Sequence, residues 1–167
     1  MPNHLAPILT PQFEAALCML HHCITACPPD QWDARVASAT VRQVAYHTLF
    51  FTDLYLSPSE HAFTLRDLHH RGGDERGPTP SPGLDPPETL AYLATCLDKM
   101  RTTLANETDQ SLAADSGFSY RRMTRGELHL YNLRHIQHHT GQLSAHLRRT
   151  TPTLTDHHLP WVGKGWK

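Results

Sequence analysis

The residues best placed to do chemistry lie in one run, Leu128-His129-Leu130-Tyr131-Asn132-Leu133-Arg134-His135-Ile136-Gln137-His138-His139-Thr140-Gly141-Gln142-Leu143. Helical winding of about 100° per residue sets His139 about 40° from His135. Leu128, Tyr131, Asn132 and Gln142 share that side, Ile136 and Leu143 form its apolar flank, and His138 turns toward the edge. Two imidazoles one turn apart on one face are spaced to chelate a single cation. Spacing alone is a weak signal in a chain with 14 histidines. It gains from His47, which falls in the inward stripe Val44, His47, Phe51 and Leu54 of another segment. Three buried imidazoles without partners would each be costly to desolvate, whereas one shared divalent cation satisfies all three.

Those faces require helices, and the chain announces four of them with no period-two alternation between, which makes the fold class all-α. The first, about 11–27, opens at Thr10-Pro11, buries Phe13, Leu17, Leu20, Ile24 and Cys27, and stops at Pro28-Pro29. The second, about 41–56, starts at Thr40 with Gln43 completing a capping box and ends before Ser57-Pro58. The third, about 86–106, opens on Asp85-Pro86-Pro87-Glu88 and carries Leu90, Leu93, Leu97, Met100 and Leu104 in the 3-4-3-4 spacing of a helix-bundle seam. The fourth, about 125–149, is announced by Thr124 and Glu127. Between the second and third lies a Pro/Gly-rich crossover, 58–84, long enough to return the chain to the opposite end and let those helices run parallel. A tail, 150–167, follows the last helix.

Composition excludes other classes. At 167 residues and 39% hydrophobic, residues 1–167 are expected to form one domain around one core. The 15 basic and 16 acidic side chains leave a formal charge of −1, without the clustered excess that phosphate backbones attract, so nucleic acid is not an expected partner. Protonation of histidine should make the surface charge depend steeply on pH near about 6.5. No stretch approaches the roughly 20 apolar residues of a membrane span, so no membrane association is expected. Met1 to Thr10 lacks the pattern of a secretory signal, which predicts a cytoplasmic protein. In that compartment Cys18, Cys23, Cys27 and Cys96 imply no disulfide framework. Cys23 and Cys27, spaced i, i+4, could share a metal, but packing as small apolar side chains is the expected outcome.

The combination of His47 in Val44-Ala45-Tyr46-His47-Thr48-Leu49 with His135-x-x-x-His139-Thr140-Gly141-Gln142-Leu143 resembles the DinB/YfiT-like superfamily over about residues 10 to 150. The resemblance implies a four-helix bundle of up-down-down-up connectivity. One histidine of the second helix and the H-x-x-x-H pair followed by x-Gly-Gln would bind a divalent metal, which makes His47, His135 and His139 the ligands. Relatives include thiol S-transferases using bacillithiol, mycothiol or glutathione, a thiol-dependent maleylpyruvate isomerase, and proteins described only as metal-dependent hydrolases. Three protein ligands leave one position open, and a thiol or water there becomes more acidic. The expected function is a metal-dependent thiol S-transferase that activates a low-molecular-weight thiol toward a small-molecule substrate, acting as a homodimer. The metal would be Zn, Ni, Fe or Mn, among which imidazoles do not choose. A metal-dependent hydrolase on the same site, and a non-catalytic stress-associated metal- or ligand-binding protein, remain alternatives. Thiol chemistry is favoured because no general base is evident: Ile136 follows His135 where a metalloprotease would place glutamate.

Other residues carry weaker signals. Gln142 matches the family's Gly-Gln and either lines the pocket or bonds neighbouring backbone. Asn132 is a candidate to orient a ligand imidazole, although a capped or solvated amide is the plainer expectation. His146 lies two turns past His139 and reads as a rim residue that could meet substrate. His21-His22, His69-His70 and His157-His158 read as surface pairs, as do the remaining histidines by default. The tail with Trp161 and Trp166 is expected to fold over the metal pocket or a dimer mate, with terminal disorder as the rival.

Overall fold

Local sequence signals become helices almost residue for residue in the computed structural model, which describes residues 5–72 and 83–167. The elements are α1 (Ala6–Ala26), α2 (Val41–Leu56), α3 (Asp67–Gly72), α4 (Pro86–Asn106), α5 (Asp109–Ala113) and α6 (Arg125–Thr150). Capping boxes form at Thr40 with Gln43, Asp85 with Glu88 and Thr124 with Glu127. Each satisfies two backbone donors that a helix start leaves unpaired, which is why these three boundaries agree with expectation.

The first boundary differs. α1 begins at Ala6, about one turn before Thr10-Pro11, so Pro11 sits inside the helix and Thr10 donates back to the Ala6 carbonyl at 3.0 Å instead of capping. An interior proline costs about 3 kcal/mol. Burial of Leu9 and Ala6 against the core returns a comparable amount, and Pro7 occupies the first turn, where a missing N–H costs nothing. A small antiparallel pair, β1 (Arg35–Val36) with β2 (Ala39–Thr40), also lies outside the all-helical expectation. Two residues per strand are too few to show alternation; the pair turns at Ala37, whose φ is 57°. Of the 58–84 crossover, residues 58–72 contain a 3₁₀ turn at Glu60–Ala62 and α3, while residues 73–82 and the side chain of His70 lie outside those described.

The four long helices pack so that α1 and α2 each contact both α4 and α6. Their core is Phe13, Leu17, Leu20 and Ile24 of α1, Ala45, Leu49 and Leu56 of α2, Leu93, Met100 and Leu104 of α4, and Ile136, Leu143 and Leu147 of α6. This corrects the stripe expected on α2. Ala45, Leu49, Thr52 and Leu56 point to the centre, whereas His47 and Phe51 are only half-buried, at the outer edge of the α2–α6 seam. Val44 and Leu54 are buried, as expected.

Two buried polar networks hold the long helices in register, and both use histidines expected at the surface. Arg125 Nη1 donates to the Tyr55 and Ser57 carbonyls at 3.0 and 2.7 Å, and Nη2 to that of Leu56 at 3.1 Å. Its Nε donates to Glu107 Oε1 at 2.9 Å, and fully buried His129 shares the same oxygen through Nε2 at 2.8 Å. The clamp gathers the C-terminal ends of α2 and α4 and the N-terminal end of α6, and its cation answers the unpaired carbonyls of α2. On the opposite flank of α2, buried Asp53 accepts from Lys99 at 2.6 Å and from the Tyr92 hydroxyl at 3.0 Å, and pairs with Arg66. His69 Nδ1 accepts from the Arg66 amide at 2.8 Å and its Nε2 lies 3.0 Å from Tyr92 Oη, which pins α3 against α2 and α4. His69 is therefore interior, because the crossover folds back where its spacing gave no sign.

The tail runs along α1. Gly165 N–H donates to the Pro11 carbonyl at 2.8 Å, Val162 is buried with Ala15 and Cys18, and Trp166 stacks edge-on against His21 at 5.4 Å. Leu159 enters the main core, and Trp161 is 78% exposed.

Replacing Arg125 with methionine strands Glu107 and three carbonyls in a buried place. Loss of about 3 kcal/mol or more is expected, read as a lower denaturant midpoint at unchanged slope. Stability should also fall on acidification in two stages. Burial holds the His129 pKa below its unfolded value despite Glu107, so the unfolded chain takes up protons first below about 6.5. Burial alone would raise the Glu107 carboxyl, but hydrogen bonds from His129, Ser111 and Arg125 outweigh it and bring it to about 2. Its contribution is present above the unfolded value near 4.3 and lost as pH falls toward 2. A denaturant midpoint that is flat from pH 7 to 3 would contradict this.

Candidate metal centre

α6 carries His135 and His139 on the side turned toward α2, and α2 brings His47 to meet them. One ring nitrogen of each of the three lies within 4.8 Å of the others, and this is the single such group of three or more His, Cys, Asp or Glu among the described residues. His135 Nε2 and His47 Nε2 face each other at 3.2 Å. The ring centroids are 4.6 Å apart for His135 and His139, 4.8 Å for His47 and His139, and 5.1 Å for His47 and His135. All three residues are half-buried: packed enough to be fixed, open enough to be reached.

The electrostatics suit a cation. Burial first, then the imidazoles of His139, His47 and His138 and the Arg121 cation, push His135 down to about 3, so its ring is neutral at physiological pH and keeps a lone pair. Its buried Nδ1 has no hydrogen-bond partner. Two ring nitrogens aimed at each other need a proton or a cation between them. Gln142 settles which nitrogen of His139 is available: its amide oxygen lies 2.8 Å from Nδ1 and accepts the proton there, which leaves the Nε2 lone pair for the cluster. Gln142, expected to line the pocket or bond neighbouring backbone, instead meets the side chain of His139 with its amide. The donor set, three imidazoles with an oriented ring and no acid in the group, fits a divalent transition metal.

Other candidates fall elsewhere. Asn132 is fully buried and donates to the Thr52 carbonyl at 3.3 Å, tying α6 to α2, with no hydrogen bond to a ligand ring. His146 is buried, 4% exposed, with Nδ1 3.4 Å from Arg149 Nη2, so it is not a rim residue. Cys23 and Cys27 join no metal-capable group, and burial raises their thiols to about 12 and 11, which keeps them protonated and inert. The tail contacts α1 and α6, not the three histidines. The spacing did not reveal the wall beside the site. Phe51 stacks on His47 at 4.7 Å and on His135 at 5.6 Å, and the contacts continue through Tyr55 and Tyr131 to Arg121. Tyr131, four residues before His135, falls on the same face as expected, but the spacing gave no sign of its contacts with Tyr55 and Arg121.

Residues 12–143 match the family model described as the DinB superfamily, a span that contains all three histidines and Gln142. No curated protein and no solved structure matches the chain.

Protein purified without a nickel column should carry about one equivalent of a divalent transition metal by elemental analysis. His47→Ala, His135→Ala and His139→Ala should each abolish it without unfolding the chain. Gln142→Leu should keep the ligands but weaken affinity by about 10- to 100-fold in a chelator competition; affinity equal to that of the parent would show that Gln142 does not act on His139.

Proposed function

The chain belongs to the DinB superfamily, and from that membership we propose that it is a metal-dependent thiol S-transferase. His47, His135 and His139 hold one Zn, Ni, Fe or Mn ion, and a low-molecular-weight thiol enters beside them to be joined to a small electrophile. The observation that carries this reading is the donor set: three imidazoles without a carboxylate, converging at a half-exposed edge. A cation held by three protein ligands supplies Lewis acidity and an open position where a thiol ionises near neutral pH.

The chain's own residues do the rest. Gln142 holds the Nδ1 proton of His139 and so fixes its ring. Phe51 covers the rings of His47 and His135 and excludes water from that side. His135 stays neutral in its buried setting. Transfer forms an S–C bond as the electrophile's carbon–halide bond breaks, halide departing with the bonding pair, and the thiol proton leaves to solvent through His138, whose exposed ring stands 4.9 Å from that of His139. The same His138 favours a second reading, hydrolysis, since an imidazole there can also take a proton from water.

We further propose up-down-down-up connectivity for the four-helix bundle, supported by the meeting of the C-terminal ends of α2 and α4 with the N-terminal end of α6. A homodimer in the cytoplasm is the setting this reading expects, with neither nucleic acid nor membrane as partner. No helix among the described residues is long and apolar enough to cross a membrane.

The test follows conjugation of cysteine, glutathione, bacillithiol and mycothiol to a chlorinated aromatic electrophile, with and without chelator, beside a panel of esters and amides. Metal-dependent conjugation that His135→Ala abolishes is expected. Metal-dependent cleavage of an ester or amide with no thiol turnover would replace transfer by hydrolysis, and metal bound without turnover would leave a binding protein.

A further inference from the structure

A guanidinium stands beside the candidate metal centre with no carboxylate partner among the described residues. Arg121 lies on the loop between α5 and α6, and its Nη2 donates to the hydroxyls of Tyr55 and Tyr131 at 3.3 and 3.1 Å. It stacks over the rings of Tyr131, Tyr120 and Tyr55 at 4.9, 5.3 and 6.0 Å. Its Nε is buried and has no hydrogen-bond partner, and it forms no ion pair with any described carboxylate. Nor are its phenol neighbours anionic: burial pushes Tyr55 up to about 12 even with the Arg121 hydrogen bond, and burial raises Tyr120 as well. A fork with unused donors, held flat by aromatic rings, is the arrangement proteins use to receive carboxylates.

The loop is built to keep it there. The Arg121 carbonyl accepts from Ser116 Oγ and from the Met123 amide, each at 2.8 Å, and its own amide donates to Phe118 at 2.8 Å. Gly117 has φ of +81°, and a Cβ there would stand 2.5 Å from the Pro58 carbonyl, so glycine lets the loop press onto the end of α2. The Glu60 amide donates to the Gly117 carbonyl at 3.1 Å across that contact. From Arg121 a chain of ring contacts leads to the histidines. Tyr131 is one turn before His135 on α6, Tyr55 stacks on Phe51 at 5.5 Å, and Phe51 stacks on His135 at 5.6 Å. Arg121, Tyr131, Phe51 and the three histidines are all half-buried, a row of reachable groups along one seam.

We infer that Arg121 is a specificity-determining binding residue: the small molecule that reaches the three histidines carries a carboxylate, which docks on the Arg121 fork while its apolar portion lies along Phe51 and Tyr131. The inference rests on the proposed small-molecule chemistry of that site but makes a separate claim, since the carboxylate is held by this chain's arginine and not by the metal.

The test titrates the Co²⁺-loaded protein with mercaptoalkanoates of increasing chain length and with the matching amides, and repeats the titration by calorimetry on chelator-treated protein. The acids should bind at least about tenfold tighter than the amides at the best chain length, with the preference surviving metal removal. Arg121→Gln should erase the preference while leaving the Co²⁺ spectrum and amide binding unchanged. Tyr131→Phe, which keeps the charge but frees the fork, should reduce it. Equal binding of acids and amides, a preference that survives in Arg121→Gln or disappears with the metal, or no binding by either series would overturn the inference. Failure of Co²⁺ to bind would instead sink the metal reading, and the chelator-treated titration would still decide the role of Arg121.

Discussion

The register between α2 and α6 is the constraint on which the rest depends, and Arg125 sets it. One guanidinium bonds three carbonyls at the end of α2, shares Glu107 with His129, and belongs to the first turn of α6. From that fixed point the two helices run back alongside each other. His47 lies eight residues before Tyr55, and His135 ten residues after Arg125, which are axial distances of about 12 and 15 Å. The near match brings the two Nε2 atoms face to face. A slip of one turn, about 5.4 Å, would exceed the whole span of the three ring nitrogens.

Placement at the outer edge of the seam, and not at its centre, reconciles two demands. Ligand rings must be packed enough to hold one orientation, and a ligand must still reach them. The centre of the core would meet the first demand and fail the second, and a free surface the reverse. Half-burial of His47, His135 and His139 meets both, with Phe51 covering one side and His138 exposed at the other. Asp53, on the other flank of α2, draws the crossover's α3 to the opposite side through Tyr92 and His69. One helix therefore carries two polar clusters, one that locks the crossover and one that stays accessible.

Fourteen histidines divide by environment more sharply than their count suggests. Three converge at the candidate metal centre, while His69, His129 and His146 are buried elsewhere and do structural work. His129 shows why spacing misjudges such residues: it sits in the first turns of a helix, where exposure is the default, and only Glu107 from another helix makes its burial tolerable. The tail is the reverse case. Its tryptophans suggested a cover for the site, yet Val162 finds its apolar contact on α1, which lies across the core from α2.

The starts of α2, α4 and α6 were legible in the chain alone, because capping boxes are local contacts between residues three apart, and so were the three candidate ligands, because a pair one turn apart and a third in a recognisable setting need no tertiary knowledge. Tertiary structure alone decided where α1 begins, since burial of Leu9 outweighs a proline signal, and where Phe51, Tyr55, Tyr131 and Arg121 meet. These four come from α2, a loop and α6. Their association depends on a glycine that lets the loop close on the end of α2 and on the clamp that fixes both helices there, contacts between residues about 60 to 70 positions apart that no local pattern encodes.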